Sequence, residues 1–460
     1  MKKINVLMAL LITGYILGVM NYLVLPKYSI VFGLKGMLVG TLVSIIALIL
    51  IRSEVESTKR TRYLPYEFMF KVSRTPALMI TFVLFLVLVA GITSYLSGWA
   101  LIFLFGQDSS FIVPLAVLTI LIAALLLLMA KGKTVELLAT LSVLVIILTL
   151  VSVFLIRNEA SSVIVSEQAK LYMNQVFSQM WSFEPPLNFQ GLIVFLSEII
   201  LAFGLGAGVY YVIGSFSPEE LKMERVLIGV FVLQLILSIA TSYAVAYSLG
   251  ASFQAFDNAV HNLNVPSKEV FKFYQKFQML KTYTENPSIP VYGSIKTFYL
   301  IPAVLLEVLP KSRALVYLLM ISLYLAGFTT VIVLLEMGAQ LTAEVVQTSR
   351  RNALATVSVL SLATATVMLN EALFRVLIFI PFSIVGLLAA VEAYLSLKAL
   401  PSNEKLLTVI GAAVVLIIGA GSLYYSLTGT LAMKLAAVIG LILLVPLAFN
   451  GFLLRVGRRR

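Results

Sequence analysis

A chain of 460 residues that is 60% hydrophobic and 12% charged, with a mean hydropathy of +1.03, cannot dress a water-soluble surface. It has no cysteine and one histidine, His261, which excludes disulfides, thiol chemistry and imidazole metal clusters. The net charge of +12 follows the loops between apolar runs. It therefore fits membrane topology, with a lipid bilayer as partner and no nucleic acid.

Apolar runs recur along the whole chain, each long enough to cross a hydrocarbon core of roughly 30 Å as a helix. In chain order the predicted spans are 5–25, 31–51, 76–105, 111–130, 134–156, 189–214, 224–249, 313–337, 352–369, 372–398, 404–427 and 431–455. The stretch after Met1 runs to Pro26 without a small-residue cleavage site, so it reads as a first span and not as a cleaved leader. The fold class is thus an all-α polytopic membrane protein of about twelve helices. Arg52, Lys59, Arg60, Arg62, Lys71, Arg74, Arg350, Arg351, Arg455, Arg458, Arg459 and Arg460 fall on one side. The positive-inside rule makes that side cytoplasmic, with both termini there, in a multi-pass protein of the cell membrane. The loop 157–188, with Trp181 and Glu184-Pro185-Pro186, and the loop 250–312, mixing Phe253, Phe256, Phe271, Phe273, Tyr274 and Phe277 with lysines, are expected outside. Amphipathic helices capping a vestibule account best for the second loop.

Two spans are chemically unusual. The first carries Gly14-Tyr15-Ile16-Leu17-Gly18 at its midpoint and the sixth carries Gly204-Leu205-Gly206-Ala207-Gly208. Glycine is a poor helix former, so each cluster serves either close helix packing through small residues or an unwound segment. Unwinding in lipid is tolerated only where the freed groups face protein, water or an ion. Both clusters open a block of five spans, 1–5 and 6–10, and interrupted helices at corresponding positions of two halves point to a midplane site in an inverted repeat. The organisation expected is a first repeat over 1–156, the outer loop 157–188, a second repeat over 189–398, and two last spans with a basic tail over 399–460.

In the eighth span, Leu325-Ala326-Gly327-Phe328-Thr329-Thr330, the two hydroxyls lie three and four residues beyond Ala326 and so project near its carbonyl. They either bond back to the preceding turn, as is common in membrane helices, or supply the neutral oxygens a hard monovalent cation prefers.

Several stretches carry a family resemblance. Gly18-Val-Met-Asn21-Tyr-Leu-Val-Leu-Pro26 resembles the first helix of the neurotransmitter:sodium symporters. Ser97-Gly-Trp99, Leu205-Gly-Ala-Gly208, Leu325-Ala-Gly-Phe-Thr-Thr330 and Ile301-Pro302-Ala303-Val304 agree with that family in order and spacing. The resemblance covers spans 1–10 and implies a divergent prokaryotic member with a 5+5 inverted repeat and discontinuous helices 1 and 6. It also implies sodium-coupled import of a small organic solute, an amino acid or related amine, by alternating access and without enzymatic chemistry.

Carried over by position, the resemblance puts a sodium at a second site made by the carbonyls of Gly14, Leu17 and Ala326 and the hydroxyls of Thr329 and Thr330. The first sodium site keeps Ile16, Asn21 and Gln234, but Ala202 stands where a hydroxyl is expected, so that site is expected weak or absent. Substrate contacts fall on Ile16, Gly18, Val19, Met20, Thr93, Leu201, Phe203, Gly204 and Gly206. Thr93 replaces the tyrosine that binds a substrate carboxylate, and Val24 replaces the outer-gate arginine. Glu198 falls among the groups that bind chloride in relatives. As a carboxylate able to take up a proton when sodium leaves, it implies no chloride requirement. Glu344 is the expected acid of an inner gate with Lys2 or Lys3, whereas Glu336 and Glu392 read as helix-to-helix hydrogen-bond partners.

Three classes remain distinct: a sodium-coupled symporter, a proton-coupled or facilitative carrier of the same fold, and a non-transporting membrane receptor or assembly factor. Dependence of uptake on sodium separates the first two, and the absence of any flux marks the third.

Overall fold

The computed structural model describes residues 3–16, 25–105, 109–130, 133–287 and 313–458. Among these, every regular element is helical. The helices are α1 (Lys3–Ile16), α2 (Leu25–Val31), α3 (Gly33–Thr61), α4 (Ala77–Phe105), α5 (Ile112–Met129), α6 (Thr134–Val163), α7 (Glu167–Met180), α8 (Phe189–Ala202) and α9 (Val209–Phe216). They continue as α10 (Met223–His261), α11 (Ser267–Glu285), α12 (Arg313–Val346), α13 (Arg350–Val367), α14 (Glu371–Ser396), α15 (Ser402–Thr428), α16 (Leu431–Ile442) and α17 (Asn450–Arg458).

Nine stretches among the described residues are long and apolar enough to cross a membrane, and the protein is a multi-pass membrane protein. The other three predicted spans fall on α1 with α2, on α8 with α9, and on α13, which is less apolar because Arg350, Arg351 and Asn352 open it. The last predicted span is not one straight helix. It leaves α-geometry after Ile442, passes through a 3₁₀ turn at Val445–Phe449 where Pro446 offers no N–H, and resumes as α17.

The core is set by burial. α4, α12 and α14 are the most enclosed spans and pack centrally, α4 lying along α12 and α14 along α15. Small residues permit the closest approach: a Cβ on Gly386 of α14 would lie 2.6 Å from Gly419 Cα of α15, and one on Gly419 would lie 2.5 Å from Leu387 N. These two helices touch backbone to backbone.

Polar contacts identify the ends that share a face. At the face where α1 begins, Arg60 pairs with Glu404 at 2.8 Å, Lys398 donates to the Ser73 carbonyl at 2.6 Å, and Asn450 donates to the Arg74 carbonyl at 2.8 Å. At the opposite face α7 and α11 lie as amphipathic caps. Gln254 Oε1 at the end of α10 accepts the Val165 and Ser166 amides at 2.9 and 2.8 Å, holding the start of α7. Tyr172, Phe253 and Phe277 join α7, α10 and α11 with ring centroids 5.0–5.1 Å apart.

Candidate functional site

The sixth predicted span is interrupted. α8 stops at Ala202, the chain turns through 203–208, and α9 starts at Val209. Gly204, Gly206 and Gly208 all hold positive φ, +68°, +80° and +69°, a region L side chains avoid. Space demands glycine as well, because a Cβ at 204 would enter the Tyr15 ring and one at 208 would lie 2.5 Å from Phe82.

The amides exposed by this turn find an acceptor on α14. Glu392 is fully buried, and its Oε2 and Oε1 accept the Gly206 and Gly208 N–H groups at 2.5 Å each. The Glu392 main-chain carbonyl accepts the Tyr211 hydroxyl at 2.6 Å, and Glu54 of α3, equally buried, lies beside the same carboxyl group. Tyr210 donates its hydroxyl to the Phe203 carbonyl, bridging the turn from the α9 side. Glu392 is therefore more than a link between helices: it takes the place of the helical acceptors that the unwound amides lack.

In the first predicted span, residues 14–16 are helical, and the described part of α1 runs to Ile16. Leu17, Gly18, Val19, Met20, Asn21 and Val24 lie outside the described residues, as do Lys2 and 301–304. What is described meets α12 closely. Thr329 Oγ1 lies 2.9 Å from the Ala326 carbonyl and 3.2 Å from that of Gly14, and Thr330 Oγ1 lies 3.1 Å from Ala326 and 3.3 Å from Tyr15. A hydroxyl carries one proton. Two protons thus serve four oxygen–oxygen contacts among five neutral oxygens, in a pocket where both threonines are buried. The donor set has a surplus of lone pairs, which suits a small monovalent cation. The Tyr15 carbonyl belongs to this set although the sequence pattern did not select it.

Thr330 has a second neighbourhood. Together with Tyr15, Ile16, Thr93, Leu201 and Ala202 it lines a small cavity of about 50 Å³, completed by Val89 and Ile92 of α4 and by Ile378, Pro381 and Phe382 of α14. Ile16, Thr93 and Leu201 were expected there; Phe203, Gly204 and Gly206 lie just beyond it in the unwound turn, with Phe203 fully buried. The α14 side was not anticipated, since Ile378, Pro381 and Phe382 sit in an ordinary apolar run. The lining has no charged side chain among the described residues.

Of the residues expected for a first sodium site, Asn21 lies outside the described residues. Ile16 lines the cavity just described, while Gln234 lines a separate space of about 60 Å³ between α3, α8 and α10, beside Ser29, Thr41, Ser44, Ser238 and Ser242. Glu198 lines neither, and the opposite charge that acts on it is Lys27 of α2. Glu344 accepts the Tyr66 backbone N–H at 2.8 Å; the side chains of Lys2 and Lys3, its expected partners, lie outside what is described. Glu336 carries another ion pair near this face, with Arg350 at 2.5 Å, and accepts a hydrogen bond from Gln340 at 2.7 Å. That pair borders a wide cleft of about 790 Å³ lined by Leu7, Met8 and Leu11 of α1, Glu136 of α6, and Ile213 and Phe216 of α9.

The fold and these cavities define a helical membrane protein with an interrupted helix at a central enclosed site and a wider cleft toward the N-terminal face. Among solved structures, the chain is similar to the crystal structure of MhsT in complex with L-phenylalanine: 15% identity, TM-score 0.59, covering 91% of this chain and 98% of that one. No family model matches the sequence, and no curated protein matches it.

Proposed function

We propose that the chain is a sodium-coupled secondary transporter that imports a small organic solute, an amino acid or related amine, by alternating access. The observation that carries this reading is Thr330, whose side chain belongs both to the oxygen-rich cluster between α1 and α12 and to the apolar cavity beside the unwound glycines. The likeness to MhsT, a transporter crystallised with L-phenylalanine, supports the same reading at the level of the fold.

The residues suggest how the work is divided. Val89, Ile92, Leu201, Ile378 and Phe382 suit an apolar solute body, and Tyr15 and Thr93 offer the polar contacts. The carbonyls of Gly14, Tyr15 and Ala326 with the hydroxyls of Thr329 and Thr330 would hold one sodium ion as co-transported cargo. Such an ion joins α1 to α12, helices that both line the cavity, and the energy of its passage is ample. One positive charge moving inward through 100 mV yields about 2.3 kcal/mol, enough on its own for roughly 50-fold accumulation of a neutral solute.

The face bearing Arg52, Lys59, Arg60, Arg350 and the basic tail is assigned to the cytoplasm of the cell membrane. The cleft along α1, α9 and α12 then becomes the inner exit, and α7 with α11 the outer cap. α1, α3, α8, α9 and α10 would rock against α4, α5, α12 and α13.

The test is uptake into proteoliposomes of a labelled panel that includes L-phenylalanine, other apolar amino acids and amines, with and without an inward sodium gradient. Concentrative uptake of at least one member only with the gradient is expected. Uptake indifferent to sodium would overturn the coupling, and no flux of any member would overturn the carrier.

A further inference from the structure

Lys27 opens the outer half of the first span, one residue after Pro26, and its side chain is fully buried. Glu198 stands on α8, the outer half of the interrupted helix, at 2% exposure, and neither carboxylate oxygen meets a hydrogen-bond partner among the described residues. Each is the opposite charge acting on the other. Aromatic rings complete the enclosure: the Lys27 ammonium lies 5.3 Å from the Tyr28 ring and 5.8 Å from that of Tyr283, and Tyr28 stacks on Phe195, three residues before Glu198, at 5.0 Å.

Tyr283 belongs to α11, the outer cap. Four residues after Tyr283, just past the end of α11, the chain also sits on α8, where a Cβ on Gly191 would lie 2.6 Å from the Pro287 carbonyl oxygen. The end of the cap helix and the residues that follow it therefore cover both charge-bearing half-helices.

We propose that Lys27 and Glu198 form a buried charge pair, sealed from water by Tyr283 and the α11 cap, whose mutual neutralisation is the condition for closing the outer face. The proposal rests on the alternating-access reading. A charge taken out of water without its counter-charge is far costlier than a matched pair, and replacing both by neutral groups is often harmless. The pair is a permission to close, and the two single losses should resemble each other while the double loss resembles neither.

Because the chain has no cysteine, a single reporter, Leu201→Cys in the central cavity, reads outer access by its labelling with a membrane-impermeant thiol reagent applied outside. In that background Lys27→Met and Glu198→Gln are each expected to raise the labelling rate by about tenfold, since the unmatched charge keeps the cap unseated. The double variant, and the exchange Lys27→Glu with Glu198→Lys, are expected to return within about twofold of the parent by the same cancellation. Silent single variants, or a double variant whose effect is the sum of the two, would overturn the pairing. If a single variant does not yield folded protein, thermal unfolding of the purified double variant decides: recovery of a cooperative transition supports the pair and continued failure rejects it. Labelling is read in the Leu201→Cys background and sodium-driven uptake in the unsubstituted chain, so a carrier that fails to transport is distinguished from a pair that fails to gate.

Discussion

Glu392 and Glu198 are both buried acids on the interrupted helix or against it, and they are held in opposite ways. Glu392 comes from a neighbouring helix and grips the turn by two short, directional bonds to the Gly206 and Gly208 amides. Glu198 rides on the interrupted helix itself and is answered by a charge, Lys27, without a hydrogen bond among the described residues. A directional grip fixes position to a few tenths of an ångström, whereas attraction between charges falls off slowly and tolerates sliding. The difference marks the first as a fixed joint of the central site and the second as a contact that can be made and broken.

The comparison can be attacked at its strongest point first. Glu392→Leu leaves two buried amides without acceptors at about 1–3 kcal/mol each, so uptake should fall by more than about tenfold and the thermal unfolding midpoint should drop. Glu392→Gln should be intermediate, because its carbonyl can serve one amide while its NH₂ opposes the other. Unchanged uptake in Glu392→Leu would remove the joint from the account.

The same joint can be approached through its glycines. Gly208→Ala combines positive φ with a collision at Phe82, and a loss of about 1–2 kcal/mol from the backbone conformation alone is expected in thermal unfolding, with uptake falling in parallel.

Next in size is the oxygen cluster. Thr329→Val with Thr330→Val removes two of its five oxygens, and the sodium concentration giving half-maximal uptake should rise by about tenfold, with Thr330→Ser retaining the response. An unaltered sodium dependence would leave that cluster without its proposed cargo.

The smallest effect separates the two acids. Shortening by one methylene should cost little for an acid held by charge, so Glu198→Asp should change uptake by less than about threefold, while Glu392→Asp, which cannot reach both amides, should approach the Leu variant. Equal sensitivity of the two positions would erase the distinction.

Much of this was legible in the sequence for a local reason. Three glycines in five residues announce an unwound turn, and two threonines three and four residues after Ala326 must crowd its carbonyl. Long-range partners were not legible. Glu54 and Glu392 lie far apart in the chain, and nothing in an apolar run says which helix Ile378, Pro381 and Phe382 will face. Glu344 and Glu336 show the same limit from the other side: both are acids near the end of α12, yet only the geometry reveals that one accepts an amide and the other pairs with Arg350. The break near Pro446 was hidden by hydropathy, which averages over a proline that the backbone cannot ignore.

The glycine seam between α14 and α15 carries a mechanical implication. With Gly386 and Gly419 in main-chain contact there is no side-chain cushion to shear, so the two helices behave as a single plank. The plank bears Phe382 at the solute cavity and, six residues beyond Gly386, the acid that grips residues 206 and 208. Any tilt of α15 against the surrounding lipid is therefore delivered undamped to the pivot of the interrupted helix, and a bulkier residue at 386 or 419 would act as a wedge in a hinge it never touches.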